Sequence, residues 1–275
     1  MNVARRVELS IRDSIALLRL NDNGKLNALS EELVNEIYQQ LEDIEKKAAV
    51  LVIGSGSKKA FTVGVDINEI YSRTFEGACL DDFMDYRWER IWQIKIPVIA
   101  AVSGYALGGG FELALMCDMI VASSNAVFGF PEINIGLMPG LGGTQMLTSI
   151  VGPKIAGEII MTGRYLKAEE AMKLGIVTCV VNEEVGIQHE TRSEGKAAAQ
   201  KKDRIDPTLE KALALAGEIA DKSSVSTRLI KKAIRLFYDA GISGGMKAER
   251  QMFLSLFSTS VKELKVKAFL DKKKS

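Results

Sequence analysis

A run of glycines between an apolar segment and a helical segment constrains the fold of this chain more than any other feature. Residues 98–102 are continuously apolar, residues 104–110 include four glycines, and a helical pattern begins near 109. Glycine has no Cβ, so the backbone at such a turn can approach a neighbouring element or a ligand closely. Apolar strands alternate with helices in this way over most of the chain, which predicts an α/β fold with crossover connections.

The flanking segments repeat this alternation on both sides of the glycine run. Residues 7–20 predict two short strands around a polar turn at 12–14, and Ser30 followed by two glutamates predicts a capped helix start. Further elements are predicted as a strand at 49–53, a helix over about 80–94, a helix from about 109, and strands at 98–102, 119–122 and 177–181.

The character of the sequence changes after residue 182. A polar segment covers about 183–206, and from 208 the pattern is helical only, with a break predicted at 240–245. We therefore predict two regions, an α/β core over 1–200 that carries the 183–206 segment as an insertion, and a helical region over 201–275. The apolar stripes of the helical region require a partner surface.

Composition narrows the possible functions. With 36 Lys+Arg against 35 Asp+Glu, the net charge of +1 disfavours a general binder of nucleic acid or of anionic membranes. One histidine and three scattered cysteines disfavour a structural zinc site or a disulfide scaffold, so no metal is expected. The N-terminal sequence lacks an apolar signal core, which favours a cytoplasmic protein. His189 falls in the polar segment, so proton transfer would rest on carboxylates.

Two glycine turns could present backbone N–H groups to a single oxygen. One turn is 104–113, and the other is 61–66, where a strand also precedes a short helix. Together they would form an oxyanion hole, in which each donor stabilises a transition state by about 3–4 kcal/mol. Tight packing between helix and strand is the alternative role for these glycines. The spacing matches neither a phosphate-binding P-loop nor a dinucleotide fingerprint.

Glu132 is the candidate general acid. It lies in the third glycine-containing segment, 128–144, close in sequence to Phe128, Phe130, Ile133 and Ile135. Apolar surroundings disfavour the ionised carboxylate and raise its pKa, which suits proton donation near neutral pH. The alternative is a surface glutamate beside a proline turn.

Four segments together resemble the crotonase, or enoyl-CoA hydratase/isomerase, superfamily, and most closely its hydratase branch. They are LNAL at 26–29, AFTVGVDINE at 60–69, IPVIAAVSGYALGGGFELALMCD at 96–118 and FGFPEINIGLMPGLGGTQ at 128–145. The resemblance implies a spiral of β-β-α turns, with the C-terminal helices forming trimers that often pair into hexamers.

The same resemblance assigns roles to individual residues. Glu112 and Glu132 fall on the two catalytic glutamates of the family. The remaining positions implied to contact substrate are the amides of Val65 and Gly109 as oxyanion donors, Gly140 beside the attacking water, Asp66, Ile67 and Asn68 along the thioester end of CoA, and Leu26 to Ala28 near the adenine.

The implied activity is that of a hydro-lyase in fatty acid metabolism. Water adds to C3 of a 2-enoyl-CoA and a proton arrives at C2, giving a 3-hydroxyacyl-CoA without a metal or redox cofactor. Glu112 is assigned mainly to the water and Glu132 mainly to the proton. The alternatives are an enoyl-CoA isomerase and, from another class, a non-catalytic CoA- or RNA-binding protein on the same fold. Because single-acid isomerases retain only one of the two glutamates, the pair favours hydration.

Some positions depart from the family pattern or extend it. Residues 146–149 lack the usual basic side chains, residues 264–266 replace a common Glu-Gly-Met, and the 183–206 segment is longer than in typical hydratases. Lys58 and Lys59, or Lys272 to Lys274, could contact the phosphates of CoA.

The identity of the acyl group is not determined by the sequence.

Overall fold

The computed structural model describes residues 6–22, 24, 26–80, 83, 86–182 and 206–272. Its strands are β1 (Val7–Arg12), β2 (Ile15–Leu20), β3 (Val50–Ser55), β4 (Ala60–Thr62), β5 (Val98–Val102), β6 (Tyr105–Leu107), β7 (Met119–Ser123), β8 (Val127–Gly129), β9 (Leu166–Lys167) and β10 (Cys179–Val181). Its α-helices are α1 (Glu31–Lys47), α2 (Ile67–Tyr71), α3 (Phe75–Leu80), α4 (Tyr86–Trp92), α5 (Gly109–Met116), α6 (Gly143–Val151), α7 (Pro153–Thr162), α8 (Ala168–Lys173), α9 (Pro207–Ala220), α10 (Ser224–Ser255) and α11 (Ser260–Lys272). Two short 3₁₀ helices cover Pro131–Ile135 and Leu256–Ser258.

The larger sheet carries most of the apolar strands. Its order is β1-β2-β3-β5-β7-β10, with β1 antiparallel to β2 and every other pair parallel. The tight turn between β1 and β2 places Asp13 and Ser14 at positive φ. All residues of β5 are buried, as are five of the six in β3, because helices cover both faces of a parallel sheet. The α/β class predicted from the alternation is confirmed.

The smaller sheet brings the three glycine segments together. Its order is β4-β6-β8-β9, and β4, β6 and β8 are mutually parallel. The carboxyl ends of parallel strands lie at the same edge of a sheet. The turns that follow β4, β6 and β8 therefore start side by side, and each of them belongs to one of the glycine segments.

The predicted start of α1 is confirmed. The Ser30 side chain accepts a hydrogen bond from the backbone N–H of Leu33, and Glu31 and Glu32 occupy the first turn. The Ser30 oxygen thereby satisfies an N–H that has no partner within the helix, and the acids favour its positive end. The apolar side of α1 is buried in the main core, including Ile37 and Leu41.

The helix predicted over about 80–94 is confirmed in part, because α4 covers Tyr86–Trp92 while Phe83 lies in a turn. A separate short helix, α3, begins earlier, at Phe75, and ends at Leu80. The signal for the earlier start was Thr74, whose hydroxyl accepts a hydrogen bond from the N–H of Gly77 and caps α3. Strand β3 also differs from its prediction, since it runs two residues beyond Ile53.

The C-terminal helices have two different environments. Leu209, Ala212 and Ala216 of α9 pack against Val50 and other side chains on one face of the larger sheet. By contrast, much of α10 and α11 presents apolar side chains to solvent. The exposed ones include Ile242, Met246, Phe253, Leu254, Leu264 and Phe269.

The break predicted at 240–245 is confined to one residue. Gly241 has φ 59° and ψ −178°, and helical geometry resumes after it within α10. The predicted insertion at 183–206 and His189 lie outside the described residues, apart from Asp206. That residue caps α9 through the N–H of Thr208 and accepts a hydrogen bond from the hydroxyl of Ser103.

Candidate active site

The first two glycine turns are in contact with each other. The N–H of Leu29 donates to the carbonyl of Gly64, and Leu29 forms a bridge with Val65. A Cβ added to Gly64 would lie 3.1 Å from the amide nitrogen of Gly109, and one added to Gly109 would lie 3.3 Å from Cγ2 of Val65. Gly64 also has φ +91°, which disfavours any other residue there. The backbones of both turns therefore meet at the start of α5.

Two backbone amides at this point have no hydrogen-bond acceptor among the described residues. Among the described residues, neither the N–H of Val65 nor that of Gly109 donates a hydrogen bond. Gly109 is the first residue of α5, where the partial positive charge of the helix is concentrated. The N–H of Gly109 at this helix N-terminus, together with the N–H of Val65 in the facing turn, forms a site that favours a negatively charged oxygen.

Glu112 lies in the first turn of α5 and is 2% exposed. Its Oε1 accepts hydrogen bonds from the N–H of Leu141 at 2.7 Å and from that of Gly143 at 2.8 Å. Burial raises the pKa of this carboxyl, while the N–H groups of Gly143, Leu141 and Gly140 oppose the rise. These N–H groups stabilise the carboxylate form and fix its orientation, as a group that accepts a proton from water requires.

Glu132 lies in the 3₁₀ helix that follows β8, and its carboxyl group faces the glycine turn. A Cβ on Gly108 would lie 2.9 Å from Oε1 of Glu132. The other oxygen, Oε2, is buried and has no hydrogen-bond partner among the described residues. Burial first, and then the charge of Glu112, raise the pKa of Glu132 to about 7.

The surroundings of Glu132 in the structure match only in part the apolar surroundings predicted from its sequence neighbours. Phe128 and Phe130 are buried, and Phe130 stacks on Phe111 with ring centroids 4.8 Å apart. Ile133 and Ile135, however, are exposed. The raised pKa therefore arises from tertiary burial against the glycine turn, and the apolar sequence neighbours contribute only on one side.

The two carboxyl groups differ in the protonation state that their surroundings favour. Glu112 is held by two backbone donors, whereas Glu132 has a buried oxygen without a donor and a pKa near neutrality. Paired carboxyls whose environments separate their pKa values are typical of a base and an acid working together. Their mutual electrostatic coupling means that they titrate as a pair.

The other residues predicted to contact substrate occupy the rim of this site. Asp66 is buried and caps α2 by accepting from the backbone N–H and the side-chain amide of Asn68. Ile67 is 64% exposed, and Gly140 is exposed beside the donors of Glu112. The structure thus gives Asp66 a capping role and leaves Ile67 accessible.

The segment 26–28 is anchored beside β4. The buried Asn27 donates its side-chain amide to the carbonyl of Phe61 at 2.9 Å, and both Leu26 and Asn27 have positive φ. Ala28 is buried, whereas Leu26 is partly exposed. Lys58 and Lys59 are exposed just before β4, and Lys273 and Lys274 lie outside the described residues.

The sequence reasoning missed a cavity beside Glu112. It has a volume of about 380 Å³, and its walls include Trp88, Trp92, Met116, Leu141 and Met146. The sequence reasoning also did not identify the N–H groups of residues 141 and 143 as donors to Glu112, although the glycines at 142–143 were a signal for them. Leu141, whose N–H binds Glu112, links this cavity to the site, and its mainly apolar walls can hold an apolar chain.

No group of three or more His, Cys, Asp or Glu side chains among the described residues could hold a metal ion. None of the helices that these residues form is long and apolar enough to cross a membrane.

Comparisons with known proteins agree with this geometry. A model of the enoyl-CoA hydratase/isomerase family matches residues 10–206. The chain is 38% identical to a probable enoyl-CoA hydratase of Rhizobium meliloti, with 95% of this chain and 93% of that protein aligned. It is 34% identical to the mitochondrial enoyl-CoA hydratase of Pongo abelii, covering 96% and 83% of the two chains. A crystal structure of enoyl-CoA hydratase subunit I from Geobacillus kaustophilus superposes with a TM-score of 0.86 at 37% identity, covering 98% and 96%.

Proposed function

This chain belongs to the enoyl-CoA hydratase/isomerase family, and on that premise we propose that it is a hydro-lyase that adds water to a 2-enoyl-CoA. The product is a 3-hydroxyacyl-CoA. The reaction needs no metal or redox cofactor, because coenzyme A is part of the substrate and both proton transfers can be made by carboxyl groups.

The free amides of Val65 and Gly109 bind the thioester carbonyl oxygen. When water attacks C3, electron density moves through C2 onto this oxygen, so the donors belong at the oxygen. The N-terminus of α5 adds its partial positive charge at the same place. The segment from the buried Asp66 to the exposed Ile67 and Asn68 continues along the thioester, and Leu26 and Ala28 lie towards the adenine.

Glu112 and Glu132 exchange the protons. Glu112, oriented by the amides of Leu141 and Gly143, takes a proton from the attacking water. Glu132, with a pKa of about 7, delivers a proton to C2. We assign the binding of the water to the exposed backbone of Gly140. Each positioned proton transfer contributes on the order of 10²–10⁴ in rate.

The observation that carries this proposal is the pair of glutamates, Glu112 buried and Glu132 partly buried, beside two amides that have no acceptor among the described residues. It is tested with crotonyl-CoA, by following the loss of absorbance of the conjugated thioester for the wild type, Glu112→Gln and Glu132→Gln. We expect hydration by the wild type and a loss of on the order of 10²-fold or more in each variant. Full activity in both variants would refute the assigned mechanism.

We also propose that the chain forms trimers or hexamers in the cytoplasm. The support for assembly is the exposed apolar surface of α10 and α11, since contiguous apolar surface of this kind marks an interface. We assign the trimer contacts to the helical region 201–275. Light scattering measures the assembled mass directly, and a monomer at micromolar concentration would refute the proposal.

A further inference from the structure

A second cavity lies behind the one beside Glu112. Its volume is about 440 Å³, and it is enclosed by the end of α5, the start of β7 and the first half of α10. Trp92 and Met116 line both cavities. The two cavities therefore meet at these two side chains, and a longer acyl chain would reach the second cavity by passing between them.

The charges in the second cavity are unbalanced. Among the described residues that line it, the charged ones are Asp118, Lys231 and Arg235. Lys231 is 5% exposed, and its ammonium lies 2.7 Å from Oδ2 of Asp118 and donates to the carbonyl of Ile96. The same Asp118 oxygen accepts from the N–H of Val98. The charge of Asp118 is therefore already matched by Lys231.

Arg235 is the cation left over. Its Nη2 is 3.5 Å from Oδ1 of Asp118 and 3.3 Å from the carbonyl of Met116, both long for a charged contact. These polar contacts within the described residues use Nη2 alone, so Nη1 and Nε remain donors for a ligand. The guanidinium lies 4.1 Å over the ring of Trp92, which lines both cavities, and this contact fixes its plane. A planar guanidinium held in this way is suited to a carboxylate.

The distances favour an acyl group of medium length. Met116 lies about 10 Å along the axis of α5 from Gly109, where the thioester would bind, since a helix rises 1.5 Å per residue. Glu89 is exposed on the wall of the nearer cavity. A carboxylate on a short acyl chain would end near Glu89 and be repelled, whereas one on a longer chain would pass it and reach Arg235.

We propose that Arg235 binds a carboxylate at the far end of the acyl chain, so that the substrates include 2-enoyl-CoA thioesters of medium-chain dicarboxylic acids. This inference rests on the proposed hydratase function and defines the substrate class of the same site. Trp92, Met116 and the other apolar walls contact the methylenes, and the guanidinium neutralises the terminal charge.

The test compares two substrates that differ only at the far end. The ratio of kcat/KM for 2-octenedioyl-CoA to that for 2-octenoyl-CoA is measured for the wild type, Arg235→Met, Arg235→Lys and Lys232→Met. We expect a ratio of about ten or more in the wild type, the factor expected from one hydrogen bond to a charged group. It falls to one or below in Arg235→Met and is partly retained in Arg235→Lys. The change is expected mainly in KM, because the contact is remote from the reacting atoms.

Lys232→Met is the matched control, because Lys232 is exposed on the same helix and does not line the cavity. It should keep the wild-type ratio. The shorter pair, 2-hexenedioyl-CoA and 2-hexenoyl-CoA, should show no preference for the carboxylate. If Arg235→Met fails to fold, the wild-type ratio of kcat/KM for 2-octenedioyl-CoA to that for 2-octenoyl-CoA still tests the inference. A ratio near one with active hydration of crotonyl-CoA overturns the inference alone, whereas no hydration of any enoyl-CoA overturns the proposed function.

Discussion

Replacing Glu132 with glutamine should change the pH dependence of stability as well as activity. In the folded protein its carboxyl has a pKa of about 7, against 4.5 for an unperturbed glutamate. Between these values the folded state holds a proton that the unfolded state releases. The contribution of Glu132 to stability is therefore fully present below pH 4.5 and is lost as the pH rises through about 7.

The size of this effect follows from the difference in pKa. At about 1.4 kcal/mol per unit, the shift from 4.5 to about 7 corresponds to about 3 kcal/mol. Because the carboxyl is partly accessible to solvent, screening reduces the expected value to about 1–2 kcal/mol. On moving from pH 5 to pH 8, the wild type should therefore lose about 1–2 kcal/mol that Glu132→Gln does not lose.

The assay is denaturant unfolding of both proteins at pH 5 and pH 8, at one protein concentration because assembly also affects stability. An unpaired glutamine amide can cost stability in its own right, but this cost is the same at both pH values. The readout is therefore the difference in unfolding free energy between wild type and Glu132→Gln, compared at pH 5 and pH 8. A difference that does not vary with pH would refute the account of Glu132 as a buried carboxyl with a raised pKa.

Glu158→Gln is the matched control for this experiment. Glu158 is exposed, and its hydrogen bonds from Arg164 lower its pKa below 4.5. A carboxyl with a lowered pKa stabilises the fold above its unfolded value and loses this contribution only on acidification. The difference between Glu158→Gln and the wild type should therefore be flat from pH 5 to pH 8.

The remaining predictions concern the catalytic pair and the glycine turns. Glu112→Gln should lower kcat for crotonyl-CoA by on the order of 10²–10⁴ with a smaller change in KM, measured by steady-state kinetics. The wild-type kcat/KM should fall as the pH rises through about 7, because Glu132 must carry its proton, and a flat profile from pH 6 to pH 9 would contradict this role. Gly64→Ala places a Cβ 2.7 Å from the carbonyl oxygen of Leu107 at φ +91°, so it should destabilise the fold by about 1–3 kcal/mol and reduce activity. Gly217→Ala meets nothing within 4 Å inside α9 and should instead raise stability by about 0.5–1 kcal/mol, which denaturant unfolding distinguishes from no change.

Local sequence signals were enough to predict much of the fold. The alternation over 7–20, the Ser30 cap of α1 and the apolar run of β5 each depend on residues close together in the chain, and each is confirmed. Helix α3 was missed because it is only six residues long and its start depends on a single hydrogen bond to the Thr74 hydroxyl.

The site itself depends on contacts between distant residues. Glu112 and Glu132 could be selected as candidates, but the donors at Leu141 and Gly143 lie about thirty residues from Glu112 in the chain. Arg235 is more distant still from Trp92 and Met116. No periodicity in one sequence predicts such pairings, because they arise only when parallel strands align their carboxyl ends and α10 packs over α5.

Isotope labelling tests the central claim most directly. Crotonyl-CoA is incubated with the wild type in H₂¹⁸O, and the product is analysed by mass spectrometry. Hydration by Glu112 and Glu132 predicts 3-hydroxybutyryl-CoA that carries the solvent oxygen at C3, and formation of this labelled product on the order of 10²-fold or more slowly with either glutamine variant. An unlabelled product in which only the position of the double bond has changed would contradict hydration and show that the enzyme is an isomerase.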